Sequence, residues 1–206
     1  MDSQGIMWMA GGLGLDRYDG HRFEHFSTDS GHLLSNNFVS ITEGPEGKIW
    51  LGELGGTRNI QIFDPVKKQS RWWWQEIDTT ALKGEEVKLI LADLSEAAIW
   101  LVTDHRLLWY GKDKILKEVF YSQAIIRESM ATQGSIWIYN GEDFKLLNPQ
   151  GLVQREFKVP SEAYFIMEGV DSKDNIYYRQ RDDLDDNDRS RKFRNGQTFS
   201  LGEVAP

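Results

Sequence analysis

A short motif, in which a turn glycine leads into an apolar strand with a large aromatic residue, recurs along the whole chain. Its copies are Gly5–Trp8, Gly47–Trp50, Ala97–Trp100, Gly134–Trp137 and a weaker one, Asp174–Tyr177. The successive aromatic residues are separated by 42, 50, 37 and 40 residues (8→50→100→137→177). A period of this size is typical of solenoids, propellers and other arrays of repeated units.

Each repeat has a second landmark, an apolar strand that ends in a turn. These segments are Leu15–Gly20, Ile60–Pro65, Leu107–Lys112, Phe144–Pro149 and Lys192–Gly196. Four of them end in Asp-Gly, Asp-Pro, Asn-Pro or Asn-Gly, residues that accept the backbone angles of tight turns. A third strand follows the turn, as in His21–Phe26, and another precedes the motif glycine, as in Val39–Glu43.

A full repeat is therefore predicted to be a four-stranded antiparallel sheet, which is the blade of a β-propeller. We expect an all-β chain forming one propeller domain over residues 1–206, with about four and a half to five blades. The predicted blades cover residues 1–26, 38–74, 87–121, 124–158 and 163–201. The first blade lacks its innermost strand, and Asp78–Lys88 is interpreted as a loop between blades. The repeat count leaves open whether this is an incomplete fragment of a larger propeller.

The recurring tryptophans have a structural role in this architecture. A lone four-stranded sheet leaves both faces exposed, and stacking sheets side by side buries them. We expect Trp8, Trp50, Trp100 and Trp137 to fill the space between neighbouring sheets, with each indole N–H needing a hydrogen-bond acceptor there.

Composition and charge exclude several functions. The chain has 206 residues, a net charge of −8 and no cysteine. Nucleic acid is not an expected partner, because a nucleic-acid-binding domain normally carries a basic face. The lack of cysteine removes thiol nucleophiles and thiolate metal ligands. No nucleotide-binding loop, metal motif, membrane segment or signal peptide is evident, so no cofactor is expected.

The repeats resemble those of the two-component regulator propeller family. The resemblance rests on Asp2–Met9 together with Gly14–Asp19, on Gly47–Gly52, and on the linker Leu33–Gly47 with its Leu-Ser-Asn-Asn sequence. It is strongest over residues 1–65. Membership in that family implies a periplasmic or extracytoplasmic sensor region of a hybrid histidine kinase, with ligand sensing often linked to glycans. It implies no catalysis by this chain, although the parent protein would carry a kinase. A propeller-scaffold enzyme (a lyase or glycoside hydrolase) and a pure protein-interaction scaffold remain alternatives.

Candidate ligand-binding residues lie in the loops between the second and third strands of each blade, where the repeat length varies. Loops on a rigid scaffold are where binding residues concentrate. The expected ligand is a small molecule or oligosaccharide. The candidate residues are Glu53, Arg58, Asn59, Asp104, His105, Arg106, Tyr139 and Glu142.

Two further features stand outside the repeat pattern. The run Trp72–Trp74 is expected to place at least one ring partly in solvent, and Trp73 is included as a candidate sugar platform. Packing at a blade edge is the competing interpretation. The acidic run Asp182–Asp188 does not fit a calcium loop and is interpreted as a solvated loop. The open edge of the first blade also predicts self-association, in which a strand of a second copy pairs with that edge.

Overall fold

The computed structural model describes residues 1–53, 60–93, 98–159, 164–171 and 173–181. Every sheet in these ranges is antiparallel, and the only helical segments in them are three 3-10 turns. The chain divides into two compact units, Met1–Tyr121 and a second that begins at Ser122. The prediction of one domain stays a prediction.

The first unit contains three sheets. The first sheet has strands β1 Met7–Gly11, β2 Gly14–Tyr18 and β3 Phe23–Phe26. The second sheet has strands β4 Phe38–Glu43, β5 Ile49–Glu53, β6 Ile60–Asp64 and β7 Gln69–Trp72. The third sheet has strands β8 Leu89–Asp93, β9 Ala98–Val102, β10 Arg106–Tyr110 and β11 Leu116–Tyr121. In each sheet, neighbours along the chain are neighbours in space.

The second unit contains two sheets. The first of them has strands β12 Glu128–Ala131, β13 Ile136–Tyr139, β14 Asp143–Leu147 and β15 Val153–Lys158. The second has strands β16 Tyr164–Val170 and β17 Ile176–Arg181. The remainder of the fifth predicted blade lies outside the described residues. The three complete sheets confirm the four-stranded repeat, and the first sheet lacks its first strand as expected.

Tight turns close the hairpins where the sequence provides the required residues. Gly11 pairs with Gly14 across a two-residue turn in the first sheet. Gly14 has φ +125°, and a Cβ there would lie 2.4 Å from the carbonyl oxygen of Phe26. Only glycine fits this position, because both its backbone angle and the close approach of β3 exclude a side chain.

Three tryptophans of the repeat motif lie between neighbouring sheets within a unit. Trp50 of β5 is buried in a cluster with Ile99 and Leu101 of the third sheet. Trp137 of β13 is buried in a cluster with Phe165 and Ile176 of the fifth sheet. Trp8 packs against Phe63 of the second sheet, with ring centroids 5.9 Å apart, and Trp100 is also buried. The predicted packing between sheets is confirmed for Trp8, Trp50 and Trp137.

The loop Asp78–Lys88 contains one 3-10 turn, Thr80–Leu82, and connects the second sheet to the third. The interpretation of this segment as a loop rather than a helix is therefore confirmed. Leu82 is buried in the same cluster as Trp50. This anchoring holds the loop against the third sheet and places its polar residues beside the start of β10.

Candidate functional site

The site is built at one end of the third sheet. Because the strands alternate in direction, the β9–β10 turn lies at the same end as the connections that enter and leave the sheet. We call this end of the third sheet the connection end. It is defined here by the turn residues Thr103–His105, the loop residues 83–88, and the last residue of β11, Tyr121.

A buried threonine shapes the turn between β9 and β10. The side-chain oxygen of Thr103 accepts hydrogen bonds from the backbone N–H groups of His105 (3.3 Å) and Arg106 (2.8 Å). Its hydroxyl donates to the carboxylate of Glu85 in the loop that precedes the sheet. A side-chain oxygen bonded to backbone two and three residues later favours a turn. The orientation of His105 and Arg106 is therefore set by local chemistry.

Arg106 is held by two carboxylates. Its Nε lies 2.9 Å from an oxygen of Glu85, and its Nη1 lies 2.5 Å from an oxygen of Glu118 on β11. The side chain of Arg106 is only 13% exposed. Lys83 adds a second cation to Glu118 at 3.1 Å. Arg106 thus joins the loop to the sheet, because Nη1 donates a hydrogen bond to Glu118 while Nε forms an ion pair with Glu85 without hydrogen-bond geometry.

The protonation of Glu118 follows from these neighbours. Partial burial raises the pKa of its carboxyl group, but hydrogen bonds from Lys83 and Arg106 outweigh this effect. The net pKa lies below its ordinary value. Glu118 is therefore anionic at neutral pH and keeps Arg106 in place.

An exposed aromatic ring lies over this ion-pair network. Tyr121 is 51% exposed, and the guanidinium carbon of Arg106 lies 4.9 Å from the centre of its ring. The ring of His105 lies 6.2 Å from that of Tyr121. Next to them, Asp104 forms an ion pair with Lys88. The cluster combines an accessible ring with fixed hydrogen-bonding groups, an arrangement that suits a polar ligand with apolar faces.

The structure thus brings together three of the predicted site residues, Asp104, His105 and Arg106. Sequence reasoning missed Tyr121, Glu118, Glu85, Lys83 and Lys88. The antiparallel register offers a signal for Tyr121, because this residue is directly opposite Arg106. No comparable signal exists for Glu85, which reaches Arg106 from a loop without regular structure.

Two other predicted site residues, Glu53 and Tyr139, contact residues of the surrounding sheets and linker. The amide of Gln61 donates to Glu53 at 3.0 Å, and its oxygen accepts from the backbone of Leu34 at 2.9 Å. Glu53 therefore helps to hold the linker between the first two sheets. Tyr139 is fully buried and stacks on Phe144, with ring centroids 4.6 Å apart.

The remaining predicted residues divide into exposed, buried and undescribed positions. Glu142 is exposed beside the β13–β14 turn. Trp73 is 0% exposed and packs against Trp50, so it offers no ring face to a ligand in this structure. β7 ends at Trp72, and a 3-10 turn leaves Trp74 as the exposed ring at 44%. Arg58, Asn59 and the acidic run Asp182–Asp188 lie outside the described residues.

Among the described residues, no three His, Asp or Glu side chains are arranged to hold a metal ion. None of the helical segments there has the length and apolar character needed to span a bilayer.

Comparisons with known proteins identify the fold. No family model matches the chain, and no curated protein matches it. The extracellular domain of a protein described as a hybrid two-component system, BT4673 of B. thetaiotaomicron, matches with TM-score 0.62 and 16% identity. The match covers 86% of this chain and 25% of that one. The corresponding domain of BT3049 from the same organism matches with TM-score 0.57 and 18% identity, over 86% and 24% of the two chains.

PorZ of Porphyromonas gingivalis, a surface component of the type-IX secretion system, matches with TM-score 0.53 and 16% identity. That match covers 76% of this chain and 26% of PorZ. The chain therefore spans about a quarter of the length of these solved structures. At such identities the matches show the fold alone. They confirm the all-β propeller architecture, with the chain corresponding to part of a propeller structure.

Proposed function

We propose that this chain is a non-catalytic, ligand-sensing propeller segment of the extracytoplasmic region of a two-component sensor. The observation that carries the proposal is the match of 86% of the chain to the extracellular domains of two proteins described as hybrid two-component systems. The sequence resemblance of residues 1–65 to two-component regulator propeller repeats supports the same role independently of the fold.

The proposed ligand is an oligosaccharide, bound at the connection end of the third sheet. Sugar rings have apolar faces that stack on aromatic side chains, and hydroxyl groups that bind to charged and amide groups. Tyr121 supplies the accessible ring. The guanidinium carbon of Arg106 lies over one face of this ring, 4.9 Å from its centre. His105 and Asp104 supply polar groups at the rim. The ion pairs of Arg106 fix its position before a ligand binds. Binding therefore does not have to pay the entropy cost of ordering this side chain.

Binding measurements on variants of the full chain test this site. A panel of oligosaccharides is first screened for binding to the full chain, and the affinity for the ligand found is measured by calorimetry. We expect Tyr121→Ala to bind that ligand about tenfold more weakly, a loss of about 1.4 kcal/mol in binding free energy. His105→Ala should also lower the affinity for the same ligand. Phe23→Ala is the matched control, because Phe23 is an exposed aromatic residue outside the connection end. Unchanged affinity in Tyr121→Ala would remove this site from the proposal.

The match to PorZ is the one observation that favours a protein-interaction scaffold instead. The same experiment separates the two functions. A sensor segment of the proposed kind binds an isolated oligosaccharide, whereas a scaffold binds none of the panel. Release of shortened sugars during the titration would instead indicate an enzyme.

A further inference from the structure

The guanidinium that lies over the exposed ring of Tyr121 already has anionic partners. Arg106 is only 13% exposed, and its nitrogens lie 2.9 Å from an oxygen of Glu85 and 2.5 Å from an oxygen of Glu118. A carboxylate or sulfate of a ligand could bind Arg106 only by displacing one of these side chains. Separating a largely buried ion pair is costly, because the group left behind is poorly solvated. Arg106 therefore holds the site together and is not available to an anionic ligand.

The two lysines at this end of the sheet are matched in the same way. Lys83 lies 3.1 Å from Glu118, and Lys88 forms an ion pair with Asp104. The side chains of these lysines are 59% and 53% exposed. Exposed ion pairs contribute little free energy, so exchanging the carboxylate of the protein for that of a ligand gains almost nothing. Each of these three cations thus has a carboxylate of the chain beside it.

The surrounding charge disfavours a charged ligand of either sign. Glu86 is exposed in the loop that carries both lysines, and the chain has a net charge of −8. A negatively charged surface repels anionic molecules and slows their association. A cationic ligand is disfavoured at the ring itself. Because Arg106 lies 4.9 Å from the centre of the ring of Tyr121, a second cation on that ring would be repelled.

We propose that the ligand of the connection end is an uncharged oligosaccharide, and that Asp104 sets this preference by holding Lys88. The inference rests on the proposed function, because it concerns the same site, and it adds the charge class of the ligand and a residue that selects it. The side chains of Asp104 and Lys88 are 43% and 53% exposed. This pair can therefore be altered without removing a partner of Arg106.

Binding of two sets of oligosaccharides to the full chain tests the charge class. One set contains neutral oligomers of glucose, mannose, galactose, xylose and arabinose, and the other contains uronic acid oligomers and sulfated disaccharides. We expect the ligand whose affinity falls about tenfold in Tyr121→Ala to be neutral. Its affinity should change by less than about twofold between about 50 and 300 mM NaCl, because salt screens only interactions between charges.

The two ways in which this experiment can fail are distinguishable. If the ligand that depends most strongly on Tyr121 is anionic, the charge class is wrong and the proposed sensing function stands. If no member of either set depends on Tyr121, the proposed site itself fails, and this inference fails with it.

Asp104→Asn tests the selecting residue. The substitution releases Lys88, so the affinity for uronic acid oligomers should rise about threefold relative to the affinity for the neutral ligand. Asp113→Asn is the matched control, because it removes the same charge from an ion pair with Lys117 at the opposite end of the third sheet. This control should leave the ratio of the two affinities unchanged. An unchanged ratio in Asp104→Asn would overturn the role of Asp104.

Discussion

At the scale of single residues, the tryptophans of the repeat bury similar rings but differ in the partner of the indole N–H. Trp137 donates to the backbone oxygen of Asp174 at 3.1 Å, and Trp8 donates to the carboxylate of Asp2 at 2.7 Å. The indole nitrogen of Trp100 is buried and has no hydrogen-bond partner among the described residues. The motif therefore requires the ring at each position and uses its polar atom only at some of them.

This difference predicts unequal effects of the same substitution. Trp137→Phe and Trp100→Phe remove the same atoms from buried sites, but only the first breaks a hydrogen bond. We expect Trp137→Phe to lower the free energy of unfolding by about 1 kcal/mol more than Trp100→Phe. Urea unfolding followed by circular dichroism measures both. Equal losses would show that the bond to Asp174 contributes nothing to stability.

At the scale of elements, one kind of turn recurs between the third and fourth strands of the sheets. A single side-chain oxygen accepts two backbone N–H groups: those of His21 and Arg22 at Asp19, of Val66 and Lys67 at Asp64, and of Gln150 and Leu152 at Asn148. Asn148 thus accepts two backbone N–H groups as the aspartates do, although its second donor lies four residues later instead of three. The tight turns that the sequence predicts are stabilised in this way.

The turn of the second sheet has a testable pH dependence. Backbone N–H donation, first from Lys67, lowers the pKa of Asp64 below its ordinary value of 3.8, although partial burial opposes the effect. A carboxyl group with a lowered pKa stabilises the folded state above the unfolded pKa and loses that contribution as pH falls through the folded pKa. The contribution of Asp64 is therefore complete above about pH 4 and declines below it.

Two variants separate the hydrogen bonds from the charge. Asp64→Asn should keep the turn, because an amide oxygen accepts the same backbone N–H groups. As pH falls from about 4 to 2, the stability of this variant should decrease less than that of the unaltered chain. Asp64→Ala should cost about 1 kcal/mol at neutral pH, because both N–H groups lose their acceptor. Thermal unfolding across this pH range is the measurement. A loss of stability at neutral pH in Asp64→Asn as large as that in Asp64→Ala would contradict the prediction.

At the scale of the whole molecule, each buried cluster draws its residues from one unit only. The clusters around Trp50 and around Phe63 lie entirely within Met1–Tyr121, and the cluster around Phe165 lies entirely in the second unit. A domain that contains its own core can fold alone. The first unit therefore contains two apolar clusters of its own.

This predicts that residues 1–121 fold as an isolated chain. We expect a cooperative urea transition and a near-ultraviolet circular dichroism signal from the buried tryptophans. As a control, Leu101→Ala should weaken the transition by about 2–5 kcal/mol, because Leu101 is fully buried in the cluster around Trp50. A non-cooperative fragment would support the single domain predicted from the sequence.

The repeat, the strands and the turns can be predicted from the amino-acid sequence, because these depend on residues that are neighbours along the chain. Glycine, aspartate and asparagine set local backbone angles, and alternating apolar residues mark the strands. The apolar character of Glu128–Ala131 is weak, so β12 is predicted from the repeat and not from its own residues, and its pairing with β13 holds it in the sheet.

The accessibility of the polar residues in the loops depends on long-range contacts in the folded chain. Sequence reasoning grouped Glu53, Arg106 and Tyr139 as equivalent loop residues. In the fold, Glu53 binds Gln61, Arg106 binds two carboxylates, and Tyr139 is buried. These outcomes depend on strand register and on the contacts between a connection and its sheet, which bring together residues far apart along the chain. Local preferences carry no information about such contacts, so the ion pair between Arg106 and Glu85 became visible only in three dimensions.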